Sequence, residues 1–268
     1  MSLAPPAARA RPHRRRLAGA RTVAALVLRE MATTYGRSPG GYLWAVLEPV
    51  GGIALLTVVF SAVLRTPGLG QNFALYYATG MLPFMAFMAV SRNVAQALNF
   101  SRQLLAYPAV TWLDALLARF LLTTLTEFVV AGLVLGGILT VFDTRTLPDW
   151  PVIIQAMALA ALLGFGVGAT NCFLMTRFPL WQRIWGVLMR PMFILSGVFF
   201  LLETVPEPFR SLLWFNPLIH VVGLMRRGIY AGYEAAYVSP IHVIALAGLL
   251  ALAGLLLLRR SARFLLQL

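Results

Sequence analysis

Three ionisable side chains stand out inside apolar runs, Glu48, Glu127 and Arg190, and their placement calls for chemistry. An ionised group at the centre of a bilayer costs roughly 2.5–3.5 kcal/mol on insertion scales, so each needs a counter-charge or an aqueous cavity. Counted from the arginine-rich ends of their runs, Glu48 and Arg190 both lie about 8–9 Å deep, at about 1.5 Å per residue, and Glu127 lies near the middle. Equal depth predicts a structural ion pair between Glu48 and Arg190, preferred here over contact with a substrate. Glu127 admits two readings. One is a proton-relay group; the other is a neutral or hydrogen-bonded carboxyl at a helix interface.

Other chemistry is restricted by what the chain lacks. All 22 basic residues are arginine. A P-loop needs a lysine to reach the β- and γ-phosphates, so no such ATP site exists here, and ATP can drive this chain only through a partner that binds it. Cys172 stands alone in an apolar stretch and reads as a small buried hydrophobe. His13, His220 and His242 are scattered, which leaves no zinc site. No spaced Ser, His or Asp arrangement suggests an enzyme, and no catalytic residue, metal site, cofactor of its own or nucleic-acid partner is expected.

The elements that carry these residues follow from the apolar pattern. The 268 residues are 60% hydrophobic with mean hydropathy +0.80, while 12% are charged and the net charge is +13. Such a chain suits a membrane as solvent. A bilayer core of about 30 Å takes about 20 apolar residues in a helix. Six runs qualify, at about 43–64, 74–91, 116–142, 152–176, 184–202 and 241–258. Residues 1–20 form a basic tail expected to be disordered. Along 21–37, Val23, Val27, Met31 and Tyr35 recur every four residues, with Arg21, Thr22, Arg29, Glu30 and Thr33 on the other side. This predicts an amphipathic helix lying on the membrane surface.

Arginine bias sets the orientation, since cytoplasmic flanks are enriched in positive charge. Both termini, including the tail 261–268, are expected in the cytoplasm with residues 92–115. The opposite side then holds Arg65, Arg145, Arg210, Arg226 and Arg227. The segment 203–240 is too apolar for a solvated loop and too broken by proline to span, which predicts external re-entrant helices. Gly132 with Gly136 and Gly164 with Gly168 have the spacing that lets helices approach closely. The fold class expected is an all-α polytopic membrane protein of six spans.

Four stretches are specific enough to carry a family resemblance. They are YGRSPGGYLWAVLEP at 35–49, Leu117-Ala118-Arg119 opening the third span, RPMFILSGVFF at 190–200 and FNPLIHVVGLMRRGIYAGY at 215–233. Together they make the chain resemble, from Arg21 to Arg260, the ABC-2 permeases that export capsular polysaccharide, O-antigen or teichoic acid, with the capsular branch most similar. The resemblance implies a homodimer in the bacterial inner membrane and a separate ATPase subunit dimer that binds ATP and Mg. It also implies a coupling helix within 92–115, and for the capsular branch a periplasmic adaptor and an outer-membrane export channel. The cargo implied is a long glycan, often lipid-linked.

In those terms Tyr76, Tyr77, Phe84, Trp181, Trp185, Phe199, Phe200, Trp214 and Tyr230 are candidates for guiding sugars by stacking. The same residue types also form interfacial belts without any cargo. Arg21, Arg29 and Arg37 are candidates for holding the lipid phosphate, or they bind anionic membrane lipids at large. An ion-coupled secondary transporter is the alternative from another class, favoured by Glu127 and disfavoured by the lack of an inverted repeat.

Overall fold

A computed structural model describes residues 18–34, 41–105 and 110–265. Among them the regular structure is helical, in the order α1 (Ala18–Thr34), α2 (Gly41–Val63), α3 (Phe73–Ala95), α4 (Ala97–Phe100), α5 (Trp112–Val141), α6 (Trp150–Arg177), α7 (Pro179–Leu195), α8 (Phe209–Trp214), α9 (Pro217–Ile229) and α10 (Pro240–Leu265), with one 3-10 turn at Leu202–Thr204. Five of these, α2, α3, α5, α6 and α10, are long and apolar enough to cross a membrane. The chain is an all-α polytopic membrane protein.

Side chains start several of these helices. Asn72 accepts from the Leu75 N–H to open α3, and Asp149 does the same for Val152 at α6. At α5, Thr111 and Asp114 close a reciprocal capping box. That box starts the helix at Trp112, four residues before the apolar run at 116. At the far end of α3 the helix continues beyond residue 91 through Arg92 to Ala95, and α10 continues past Arg259 and Arg260 to Leu265, so part of the expected tail is helical. A helix persists past its apolar stretch when long cations at its end reach water.

The expected fifth span, 184–202, is displaced. α7 begins at Pro179 and stops at Leu195, 17 residues in all. Ser196 and Gly197 follow as a turn, with Gly197 at φ +81, a conformation open to glycine. The apolar letters run on through Val198 and Phe200, but as turn rather than helix.

α6 is the centre of the bundle and packs against α3, α9 and α10. Glycine makes this possible on two faces. A Cβ at Gly164 would lie 2.9 Å from the Phe87 carbonyl oxygen, and one at Gly168 would lie 2.7 Å from Val94 Cβ, both on α3. On the α10 side a Cβ at Gly166 would collide with the Ala247 carbonyl, and one at Gly254 would sit 2.5 Å from the Thr170 backbone nitrogen. Thr170 Oγ1 donates to the Leu250 carbonyl across the same seam, at 2.8 Å. The equally spaced Gly132 and Gly136 have nothing within 4 Å. They lie on the outer face of α5, so this pair does not bring helices together.

Because backbone cannot yield as a side-chain tip can, Gly254→Val is expected to push α10 off α6 and cost about 1–3 kcal/mol. Thermal unfolding of the purified variant checks this, and an unchanged midpoint refutes the packing argument.

α9 is the other internal element. From Leu218 to Met225 its side chains are all buried, in the segment where the sequence predicts re-entrant helices. α8 precedes it with Phe209 and Leu212 exposed.

Candidate functional site

Two recesses meet at the end of the bundle that carries α1 and α4. On α3, Phe84, Met88 and Arg92 recur at four-residue steps and form a shared wall. On one side lies a cavity of about 420 Å³ between α2, α3 and α5, lined by Trp44, Glu48, Arg92, Asn93, Thr123 and Glu127. On the other lies one of about 310 Å³ between α3 and α7, lined by Ser91, Arg92, Gln96, Gln182, Trp185 and Arg190. Helical spacing aligns these groups: Ala45 with Glu48 on α2, Thr123 with Glu127 on α5, and Gln182, Trp185 and Arg190 along α7.

The first recess is tied to the peripheral helices. Asn93 Nδ2 donates to Thr123 Oγ1 at 3.0 Å. The Asn93 carbonyl accepts a long contact from Arg119 Nη1 at 3.4 Å. Arg119 Nε lies 2.7 Å from Glu30 Oε1 on α1, with side chains 8% and 12% exposed, although its N–H is not aimed along that line. The guanidinium also covers the Phe100 ring of α4, 3.9 Å from its centre. Arg119 thus touches α1, α3 and α4 from α5. Glu30, placed on the outer side of α1 by periodicity, instead turns to this arginine. Burial raises its carboxyl above the ordinary value and outweighs the attraction of Arg119 and then of Arg29.

At the opposite end Arg226 of α9 is 1% exposed. Its Nη1 donates to the Phe200 carbonyl at 2.9 Å and its Nη2 to the Val198 carbonyl at 3.0 Å. The guanidinium stands 4.5 Å above the Tyr76 ring. Nearby, His220 Nδ1 accepts from the Ser239 N–H at 3.2 Å. That fixes the proton on Nε2, which donates to the Trp214 carbonyl at 2.8 Å. Burial holds His220 below its ordinary pKa, and the His242 ring lies 5.1 Å away.

The residues expected to guide cargo are dispersed. Phe84 and Trp185 line the recesses, and Trp181 lies tilted beside Trp185 while donating to Asn171 Oδ1 at 2.9 Å. Tyr76 and Tyr77 are buried in the core, Tyr77 beside Phe60 and Phe199. Phe200 gives its carbonyl to Arg226. Trp214 packs on His220 and His242. Tyr230, 8% exposed, borders a third cavity of about 450 Å³ at the α9 end. Of the phosphate candidates, Arg21 and Arg29 are exposed on α1, and Arg37 lies outside the described residues.

Glu48 and Arg190 do not pair with each other within the chain. They lie on opposite sides of the α3 wall: α2 packs on α3 and α5, α7 packs on α6, and each residue faces its own recess. Sequence reasoning overlooked Arg92, Asn93 and Gln96, treated as the start of a connection. It also missed the Glu30–Arg119 contact. The four-residue spacing of Phe84, Met88 and Arg92 was the available signal.

Residues 21–230 match the sequence model of the family described as ABC-2 type transporter. The chain belongs to that family. Among individual relatives, it is 30% identical over 218 residues to the polysialic acid transport protein KpsM of Escherichia coli, covering 81% of this chain and 84% of that one. It is 25% identical over 244 residues to the capsule polysaccharide export inner-membrane protein CtrC of Neisseria meningitidis serogroup B, covering 91% and 92%. Against the inner-membrane protein BexB of Haemophilus influenzae, also named for capsule polysaccharide export, identity is 26% over 245 residues with the same coverage. An ABC-2 permease is a transport subunit, and this ABC-2 chain supplies recesses and charged contacts with no group of three or more metal-type side chains among its described residues.

Proposed function

We propose that this chain is the permease subunit of an ATP-driven exporter that moves a capsular polysaccharide, lipid-linked at one end, across the bacterial inner membrane. The observation that carries the reading is similarity over nine-tenths of both chains to permeases named for capsule export. The absence of lysine supports a division of labour in which a separate ATPase dimer binds ATP and Mg. Two copies of the permease enclose the path, with α7 added to the five long apolar helices to make six crossings and both termini in the cytoplasm. The α1 and α4 end then faces the ATPase, which suits the contacts that Arg119 makes to both helices. A periplasmic adaptor and an outer-membrane channel continue the route. Trp185 and Phe84 offer sugars a stacking surface in the recesses, and Arg21, Arg29 and Arg37 meet lipid phosphate at the membrane surface.

Deleting the gene is expected to strip the surface of its glycan and to leave the polymer in the cytoplasm, read by glycan staining of fractionated cells. Normal surface glycan after deletion overturns the proposal.

A further inference from the structure

The recess between α2, α3 and α5 combines groups that no helix-packing role accounts for. Glu48 and Glu127 both line it, and neither makes a hydrogen bond or ion pair among the described residues. Carboxylates held within membrane-crossing helices are expensive, and here two face one cavity together with Arg92, Asn93 and Thr123. Trp44, 68% exposed, stands at its rim. Across the shared α3 wall, Ser91 is 2% exposed and its hydroxyl, at the edge of the second recess, has no partner.

We propose that the Glu48–Glu127 recess is a subsite for the neutral, hydroxyl-bearing part of a sugar. This rests on the export reading and deepens it. Each chemical feature has a counterpart. Carboxyl oxygens accept hydrogen bonds, so the two glutamates facing one cavity suit the O–H groups of a diol, which donate. Arg92 and the Asn93 amide donate to the sugar's oxygens. The Trp44 indole offers a flat apolar surface to the sugar's C–H face. A cavity of about 420 Å³ falls within the roughly 300–1,000 Å³ range of small-molecule sites. The sign of the charge also selects. Two glutamates against the single Arg92 disfavour an anionic sugar here, whereas the adjoining recess presents Arg92 and Arg190 with no carboxylate in its lining. The α3 wall therefore divides a side that reads hydroxyls from a side that tolerates anions.

The test uses the full chain in nanodiscs and two probes, short neutral maltooligosaccharides and the same oligosaccharides oxidised at their primary hydroxyls to uronates. Hydrogen bonds to a charged group are the stronger kind, so Glu48→Gln with Glu127→Gln is expected to weaken binding of the neutral probe by about tenfold or more. The uronate probe should respond in the opposite direction and bind the double variant at least as well as the unmodified chain, because repulsion has been removed. A merely structural role of the glutamates would move both probes together. Glu48 is exposed, so Glu48→Gln alone keeps the test available if the double variant does not fold. Equal loss or no change for both probes overturns the subsite, as does an unmodified chain that binds neither. Loss of surface glycan on gene deletion, with binding unaltered in the variants, overturns the subsite and leaves the export reading standing. Normal surface glycan on deletion removes both.

Discussion

Replacing Arg119 by Met, or Glu30 by Gln, is expected to destabilise the bundle by about 3–5 kcal/mol, the usual cost of removing one partner from a buried ion pair. Of the two changes, Arg119→Met should cost more. It forfeits the Glu30 contact, the Asn93 carbonyl and the Phe100 ring together, whereas Glu30→Gln leaves the last two. The double change to apolar residues is expected to recover most of the loss. Burial already holds the Glu30 carboxyl above its ordinary value of 4.5 in spite of Arg119. A raised acid favours the folded state most below its ordinary value, and that contribution is lost as pH rises through the raised one. Desolvation therefore outweighs attraction in this pair, so a well-packed apolar pair is not at a disadvantage. Thermal unfolding of the two single variants and the double, compared as a cycle, reads this directly. Additive losses in the double variant would show that the two residues act independently, and the assignment of Arg119 as the junction of α1, α3 and α4 would fall.

What was legible in the sequence was whatever depends on one helix at a time. Apolar runs locate α2, α3, α5, α6 and α10 because lipid contact needs only length and hydropathy. The turn after α7 was also written in the sequence, as the Ser196-Gly197 dipeptide, a turn signal. It was overridden by the apolar letters on both sides. What was not legible depends on which faces meet. Gly132/Gly136 and Gly164/Gly168 have the same spacing, yet only the second pair packs against a neighbour. Depth along the chain put Glu48 and Arg190 level, but rotation about the bundle axis separates them into two recesses. Glu30 lies three residues from Val27, close enough to the buried face for a flexible carboxylate to reach Arg119. The candidate site escaped for the same reason, since Arg92 and Asn93 acquire meaning only when α2, α5 and α7 are set around α3.

Arg226 and Arg227 pose the same problem in two adjacent letters, and the structure gives them opposite expected outcomes. Successive residues on a helix point about 100° apart, so only one of the pair can enter the core. That one is Arg226, while Arg227 is exposed. Arg226→Met preserves the apolar stem but leaves the Phe200 and Val198 carbonyls without their donors. Two hydrogen bonds from a charged donor contribute about 1.5–3 kcal/mol each. Removing a buried cation that has no acidic partner at its guanidinium among the described residues returns part of this, so the net loss is expected at about 2–4 kcal/mol. Arg226→Lys should also lose stability, because a point ammonium does not reproduce the two-pronged grip on carbonyls two residues apart. Arg227→Met should stay within about 0.5 kcal/mol of the unmodified chain. If Arg226→Met unfolds at the unmodified midpoint, the α7 exit turn is held by other contacts. The packing of Phe199 against Phe60, Phe193 and Tyr77 would then be the first to consider. If the predicted ranking holds, one buried arginine fixes where α7 ends. Arg226 then holds in place the turn that Ser196 and Gly197 begin, and the apolar run through 202 follows that turn instead of the helix.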